Sequence, residues 1–465
     1  MTVFDAFATP AGTASPPGTQ LIPGTTDGVP LRYPAVGPEW VGALCEDLRE
    51  ARPALADRDA VDLAAVLGRV GERFLDPSDP LRRESLELLP STAGISPEMA
   101  LAVLDGMAAD WTGARLARLL EIELGEAASL DGFVRFEGRR AMARGPTLCV
   151  QVVAGSVPGV GVNALLRSLL VKGPTLLKPG RGDIVLPVLF ARALGEADRA
   201  LAAALAVVYW PGGSAELEDA ALDRADVVTA YGSDATVHAL RARSPVTARF
   251  VGYHHRVSVG VVGRDALNGA GVETTAAEVA RSLALFDQRG CVSPQLVYVE
   301  EGGERSPGEF AEALAAALDA LEGTLPTGPL DVAEAAALHQ ARGTAELTEA
   351  GGGRRILHGG SAAWTVLLES ASATAVPSVG RIARVRPLAV LGSLPELLAP
   401  LSGHLQTVGV AGLGDRLEAV ARGVGRMGAS RVVPFTAVPF PPPWWHHDGG
   451  GPLVDLVRWV DLEAE

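Results

Sequence analysis

The sequence predicts an α/β protein with a doubly wound, mostly parallel sheet and a second α/β unit later in the chain. Three observations carry that prediction. From residue 147 onward, short runs of β-branched and aliphatic residues alternate with helix-like segments. Gly- and Pro-rich or polar loops follow several of those runs, at 154–161, 178–182, 211–213 and 231–234. Finally, 48% of the 465 residues are apolar, ample for large buried sheets. At this length two or three domains are expected.

Residues 1 to about 38 include Pro10, Pro16, Pro17, Pro23, Pro30 and Pro34 among Gly, Thr and Ser. Such a segment cannot form long helices and is expected to be an arm lying on the surface or partly disordered. From Trp40 to about Leu130 the pattern turns helical. Val61, Leu63, Val66, Leu67, Val70 and Phe74 fall at three- and four-residue spacings and share one apolar face. Ser96-Pro97 reads as a helix start, with a capping side chain and Pro in the first turn.

Leu148–Val153 is the first β-type run of the α/β part, and a helix near Asn163 follows it. Thr175–Lys178, Ala206–Trp210 and Val227–Ala230 read as the next strands, with Arg256–Val262 as a fifth. Helices between them imply right-handed crossovers. Ligands of such sheets bind beyond the carboxyl ends of the strands, the edge where the four loops fall. The second unit starts near Asp265. Thr275 and Glu278 have capping-box spacing, and the helix is expected to reach about Phe286. Leu296–Val299 reads as a strand, and Ser306-Pro-Gly-Glu309 opens a helix with Phe310, Leu314, Leu318 and Leu321 on one face. Ala389–Leu391 and Gln406–Val410 continue the theme, while 322–380 is less readable.

The net charge of −15 excludes a general nucleic-acid binder, which needs a basic face. Of 40 basic residues only Lys172 and Lys178 are lysines, a skew that carries no functional meaning by itself. No secretory pattern opens the chain, and no run of about 18 apolar residues predicts a membrane span. With three cysteines a disulfide framework is not expected, and a reducing cytoplasm is.

Cys291 lies in Phe286-Asp-Gln-Arg-Gly-Cys-Val-Ser-Pro-Gln295, between a helix and a strand. Loops on a rigid scaffold are where catalytic groups tend to sit, although a loop cysteine can equally be a small buried apolar residue. The order of features decides between them. A strand, a Gly/Pro loop, a helix, a strand ending in Lys-Pro, a Pro-Gly-Gly turn, Tyr-Gly-Ser and a lone loop cysteine together resemble the aldehyde dehydrogenase superfamily. Asp287–Gln295 and the Trp-His-His-Asp-Gly stretch near the end resemble its LuxC-like acyl-CoA reductase branch. The match in order covers roughly residues 145–460.

That resemblance implies an aldehyde dehydrogenase-like fold, a doubly wound parallel-sheet cofactor domain plus a second α/β catalytic domain. It divides the chain into an arm (1–38), a helical part with the nucleotide-binding domain (39–262), the catalytic domain (263–435) and a C-terminal segment (436–465) that closes the active site or an oligomer interface. It implies that Cys291 attacks a thioester carbonyl and that the acyl-enzyme is reduced to an aldehyde. The oxyanions formed need donors. The backbone N–H of Cys291 is one, and Ser156 stands where oxidising relatives place an asparagine, though it serves equally as a turn residue. Relatives that hydrolyse the acyl-enzyme use a glutamate; here that region reads Gly252-Tyr-His-His255, as a reductase requires. His254 or His255 becomes the proton-donor candidate, against the alternative that both are structural.

On the cofactor side, Lys178 ends a strand where its cation reaches an adenosine ribose or its phosphate. Arg181 stands where relatives specific for the unphosphorylated cofactor often place a glutamate, so the resemblance implies NADPH, with NADH, or a merely solvated arginine after a turn, as the alternatives. Gly232 and Ser233 open a helix expected to offer its N-terminus to the pyrophosphate, a role compatible with a plain N-cap at Ser233. Gly212 and Gly213 are expected to turn the backbone near the adenine or simply to make a tight turn. His446, His447 and Asp448 lack a further His or Cys cluster nearby, so no metal is expected; Trp444 and Trp445 line an acyl channel or pack in the core. The expected substrate is an acyl-CoA or acyl-carrier thioester, and the resemblance implies a homodimer or homotetramer. A CoA-acylating aldehyde dehydrogenase running in the oxidative direction, and a cysteine acyltransferase or hydrolase, are the competing readings.

Overall fold

A computed structural model describes residues 3–22, 28–136, 138–350, 355–359, 363–371 and 380–463. The chain forms two compact units. The first comprises Met1–Ala93, Ala100–His254 and Pro442–Glu465; the second comprises Gly94–Met99 and His255–Pro441.

The first unit holds a six-stranded sheet of β1 (Phe7–Ala8), β2 (Cys149–Val152), β3 (Thr175–Lys178), β4 (Leu205–Val208), β5 (Val227–Tyr231) and β6 (Arg249–Tyr253). The spatial order is β6-β5-β2-β3-β4-β1. Strands β2 to β6 run parallel, with Cys149 opposite both Thr175 and Val227. β2 to β5 are buried along their whole length, which is why each reads as a continuous apolar run rather than an alternation. Val150, Val152, Leu176, Ala206 and Val228 pack against Val41, Leu44 and Leu48 of helix Pro38–Glu50, each large side chain contributing about 1.5–3 kcal/mol. The chain moves outward from β2 through β3 and β4, then returns to place β5 on the other side of β2. The switch point of the sheet is therefore the gap between β2 and β5.

Two expectations change here. The Pro-rich arm contains strands: Phe4–Asp5, Leu31–Pro34 and Thr19–Ile22 form a small sheet, and β1 pairs antiparallel with β4. The arm takes its order from hydrogen-bonding groups on an existing sheet edge, which composition cannot reveal. The fifth parallel strand of this sheet is β6, not Arg256–Val262. β6 is only half-buried along most of its length and sits at the edge, so its hydrophobic signal is weak. A three-stranded antiparallel sheet of Val134–Phe136, Arg139–Arg144 and Arg458–Leu462 completes the unit.

The second unit is built on β7 (Val257–Val262), β8 (Pro294–Glu300), β9 (Arg355–His358), β10 (Thr365–Leu368), β11 (Ile382–Leu388), β12 (Leu405–Ala411) and β13 (Arg431–Pro434). Their order is β9-β10-β11-β8-β7-β12-β13, parallel except for β9. β7, fully buried, lies between β8 and β12. Gly260 and Gly409 leave room for the Phe435 ring; a Cβ at either would come within 2.8 Å of it. The helix over Pro307–Glu322 has the capping box that Ser306 and Glu309 predict. The Thr275–Glu278 box does not form: the helix begins earlier, at Gly271, and Thr275 is buried within it.

Candidate active site

In the second unit, helix Gly271–Ala284 ends and the chain enters the cysteine loop through three left-handed residues, Phe286, Asp287 and Gln288, with φ of 60°, 49° and 62°. None is glycine, so each is held at a cost of about 1–2 kcal/mol. Such a run persists only where its surroundings fix it.

The fixing groups are buried. The Asp287 carboxylate accepts from Nη2 and Nε of Arg381 at 2.8 and 3.0 Å, and from the Gly328 amide at 3.2 Å. Both side chains are 1% exposed or less. Burial pushes the Asp287 carboxyl up, and Arg381 opposes that rise. Arg381 also donates to Glu322 and to the Leu325 carbonyl. Gln288 makes three bonds to main chain: its amide donates to the carbonyls of Ile382 (2.9 Å) and Pro294 (3.0 Å), and its oxygen accepts from Ile382 N–H at 2.8 Å. Arg289 meets Glu334 through two bonds, at 2.8 and 2.9 Å. The loop is thereby tied to the first residues of β8 and β11.

Cys291 itself is exposed, and its carbonyl accepts from Ser258 Oγ at 2.6 Å. Cys45 and Cys149 are buried, and burial pushes their thiols up to about 12 and about 11, leaving almost no thiolate near neutrality. Of the three cysteines, only Cys291 is an exposed residue.

In the first unit, Ser156 and every residue expected on the cofactor side lie at or just past a strand's carboxyl end. Ser156 is exposed in the loop after β2, Lys178 closes β3, and Arg181 is exposed in the turn that follows. Gly212 and Gly213 follow β4 at the surface, with Gly213 at φ +82°. Gly232 and Ser233 follow β5, and Ser233 caps helix Asp234–Arg243 by accepting from Thr236 N–H at 3.2 Å. Lys178 is 7% exposed; burial lowers its pKa against the pull of Glu218, and its Nζ lies 5.8 Å from the Tyr209 ring centroid. The loops after β2 and β3 touch main chain to main chain. A Cβ on Gly180 would stand 2.2 Å from the Gly155 nitrogen.

One residue of this edge was not singled out from sequence. Asp183, 1% exposed, accepts from Gly159 N–H at 2.7 Å and Gly161 N–H at 2.6 Å. These amides open helix Val160–Leu170, so that helix end already faces a carboxylate of the protein. Helix Asp234–Arg243, beside the switch point, offers its N-terminus to a phosphate. Together with Lys178 and the glycine turns, this donor set fits an anionic dinucleotide. The sequence signal for Asp183 was a single acid immediately before the apolar run Ile184–Phe190.

Burial pushes the Asp183 carboxyl up to about 7, against the two amides that favour its charge. An unfolded Asp ionises near 3.9. Its stabilising contribution is therefore complete below about pH 4 and is lost as pH rises through about 7. Asp183→Asn, which cannot ionise, should flatten the fall in urea midpoint between pH 4.5 and 8. An identical fall in wild type and variant would remove this assignment.

The two candidate histidines separate. His254 follows β6, with Nδ1 3.4 Å from an Asp234 carboxylate oxygen. His255 belongs to the second unit, and its carbonyl lies 3.0 Å from His404 Nδ1. His255 and Cys291 both stand at the amino edge of the second sheet, before β7 and β8. The C-terminal segment is also anchored. Tyr231, Tyr253, His447 and Trp445 form a continuous stack, with successive ring centroids 4.5, 4.2 and 4.6 Å apart. Arg115 lies over Trp444 at 4.3 Å. A cavity of about 860 Å³ lined by Phe4, Phe7, Arg192 and Leu205 lies by the amino end of β4, opposite to the edge that carries these loops.

The family profile described as acyl-CoA reductase (LuxC) matches residues 55–459. A long-chain acyl-protein thioester reductase of Aliivibrio fischeri is 24% identical over 408 residues, covering 85% of this chain and 80% of that protein. A second, from Photorhabdus laumondii, is 25% identical over 277 residues, covering 58% and 55%. Among solved structures, aldehyde dehydrogenase 21 of Physcomitrella patens superposes with a TM-score of 0.77 at 15% identity, over 99% of this chain and 98% of that one. A benzaldehyde dehydrogenase of Corynebacterium glutamicum gives 0.74 at 16%, over 98% and 96%. The likeness to these structures is one of fold.

Proposed function

The chain belongs to the acyl-CoA reductase (LuxC) family, an oxidoreductase family, and we propose that it reduces a fatty acyl thioester to the aldehyde with NADPH through an acyl group carried on Cys291. The observation that supports this most is that Cys291 is exposed on a loop fixed by buried bonds, whereas burial makes the other two cysteines of the chain inert.

In this reading the Cys291 thiolate attacks the thioester carbonyl of an acyl-CoA or acyl-carrier donor. The bond from carbonyl carbon to donor sulfur breaks, and the donor thiolate leaves and takes a proton. His254, oriented by Asp234, is the proposed proton donor, with His255 as the alternative. The backbone N–H of Cys291 and the Ser156 hydroxyl are the proposed donors to the oxyanion. The nicotinamide, when bound, supplies a hydride to the acyl carbon. Expulsion of the Cys291 thiolate then frees the aldehyde. The stretch Gly252-Tyr-His-His255 offers no carboxylate to activate water, which favours reduction over hydrolysis.

We assign cofactor binding to Lys178, Arg181, Gly212, Gly213, Gly232 and Ser233. The exposed Arg181 is proposed to pair with a 2′-phosphate. Arg181→Glu should therefore move the NADPH/NADH ratio of kcat/KM towards NADH by about 10–100-fold, the loss of one to two charge-assisted bonds. An unchanged ratio would contradict the assignment. A homodimer or homotetramer and a cytoplasmic location are further proposals; no helix among the described residues is long and apolar enough to cross a membrane. The direct test of function is loss of NADPH absorbance with acyl-CoAs of graded chain length. Acyl-dependent oxidation supports the proposal, and binding of neither NADPH nor NADH would end it.

A further inference from the structure

Three exposed arginines line a cavity of about 230 Å³ in the first unit, away from every residue assigned above. Arg144, Arg249 and Arg458 line it with Gly145, Pro146, Asp226 and Thr247. It lies where the sheet of Arg139–Arg144 and Arg458–Leu462 meets the amino ends of β5 and β6.

The arrangement is electrostatically unusual for a chain of net charge −15. Arg144 and Arg458 are direct partners in an antiparallel register, so their side chains share one face, and like charges so placed repel. Among the described residues, Arg249 donates to the carbonyls of Val454, Asp455 and Val457, and Arg458 to that of Thr247. Among the described residues, no carboxylate pairs with any of the three. Asp226 borders the cavity, but its carboxylate accepts from the Thr147 amide and hydroxyl. Arg144 cannot readily swing away with its backbone. The next residue, Gly145, is wedged so that a Cβ would fall 1.7 Å from the Val171 carbonyl oxygen.

We propose that this cavity is a binding site for a phosphate-type dianion, either the free ion or the terminal phosphate of a phosphoester. A tetrahedral dianion fits the volume, satisfies planar guanidinium donors in pairs, and removes the repulsion across the Arg144/Arg458 pair. Binding therefore stabilises the folded chain.

The test is thermal unfolding and calorimetric titration of the full chain with inorganic phosphate and with glycerol phosphate, at constant ionic strength set by chloride. Wild type should show a saturable rise in Tm, and Arg144→Glu should bind at least tenfold more weakly. The same variant should start from a higher Tm without phosphate, because the substituted carboxylate faces Arg458. Phosphate binding with no glycerol phosphate binding assigns the site to the free ion; binding of both assigns it to phosphoesters as well. Should Arg144→Glu not fold, Arg144→Gln serves, with weakened binding as its only expected change. An equal Tm response in variant and wild type, or a chloride response of the same size, overturns the proposal.

Discussion

Replacing Cys291 with alanine is expected to lower acyl-thioester reduction by about 10⁴-fold or more, because a covalent route has no substitute nucleophile. The fold should be nearly untouched. The side chain is exposed, and surface truncations usually change stability by no more than about 0.5 kcal/mol. Nicotinamide affinity should also persist, since the residues proposed to hold the cofactor lie on other loops. The contrast with the remaining cysteines sharpens the test. Cys45→Ala and Cys149→Ala remove sulfur from packed interiors and should cost stability while retaining kcat. In the native protein an alkylating reagent should modify one thiol, that of Cys291. Loss of turnover in Cys45→Ala or Cys149→Ala with an unchanged Tm would contradict the assignment.

The second large effect is expected at Arg381. Replacing it with leucine leaves Asp287 buried without its guanidinium, a change that typically costs about 3–5 kcal/mol. The loss should appear as a lower urea midpoint. It should be largest near neutral pH and smaller in acid, because burial already pushes the Asp287 carboxyl up and protonation relieves the unpaired charge. The left-handed run from Phe286 to Gln288 leads directly into the nucleophile loop, so kcat should fall more than KM changes. Gln288→Ala, which removes three bonds to Ile382 and Pro294, should lower kcat in the same way. Wild-type kinetics in both variants would show that the loop holds its shape without them.

Much of the architecture was legible because parallel sheets buried on both faces produce apolar runs that stand out. Thr175–Lys178 matches its predicted span, and the runs at 148–153, 206–210 and 227–230 were displaced by only a residue or two. The resemblance to the LuxC branch and its aldehyde dehydrogenase fold, drawn from the order of motifs, agrees with the family match and the solved structures. What escaped was structure that depends on partners distant in sequence. β6 is an edge strand with little apolar signal. The arm strand β1 exists because β4 offers it an edge. Thr275 and Glu278 had capping-box spacing, yet the helix began at Gly271.

The local positions of the candidate residues were legible in the sequence, and the groups that support them were not. Cys291, Lys178 and Ser233 lie in loops or at strand and helix ends, as punctuation by Gly and Pro suggested. In the sequence Asp287 and Gln288 stand out only as neighbours of the cysteine. Nothing local signals that Arg381 and Ile382, more than ninety residues away, meet them. The Tyr231–Tyr253–His447–Trp445 stack likewise joins two strand ends to the C-terminal segment, and no spacing in the chain encodes it. Local sequence marks turns and apolar faces; pairings closed by the tertiary fold stay invisible to it.

The measurement that reaches the central claim most directly is intact-mass and peptide mass spectrometry after mixing the protein with an acyl-CoA in the absence of nicotinamide cofactor. The mechanism predicts one acyl group per chain on the peptide containing Cys291, discharged as aldehyde when NADPH is added. Acyl-dependent NADPH oxidation by a chain that never carries an acyl group on Cys291 would contradict it.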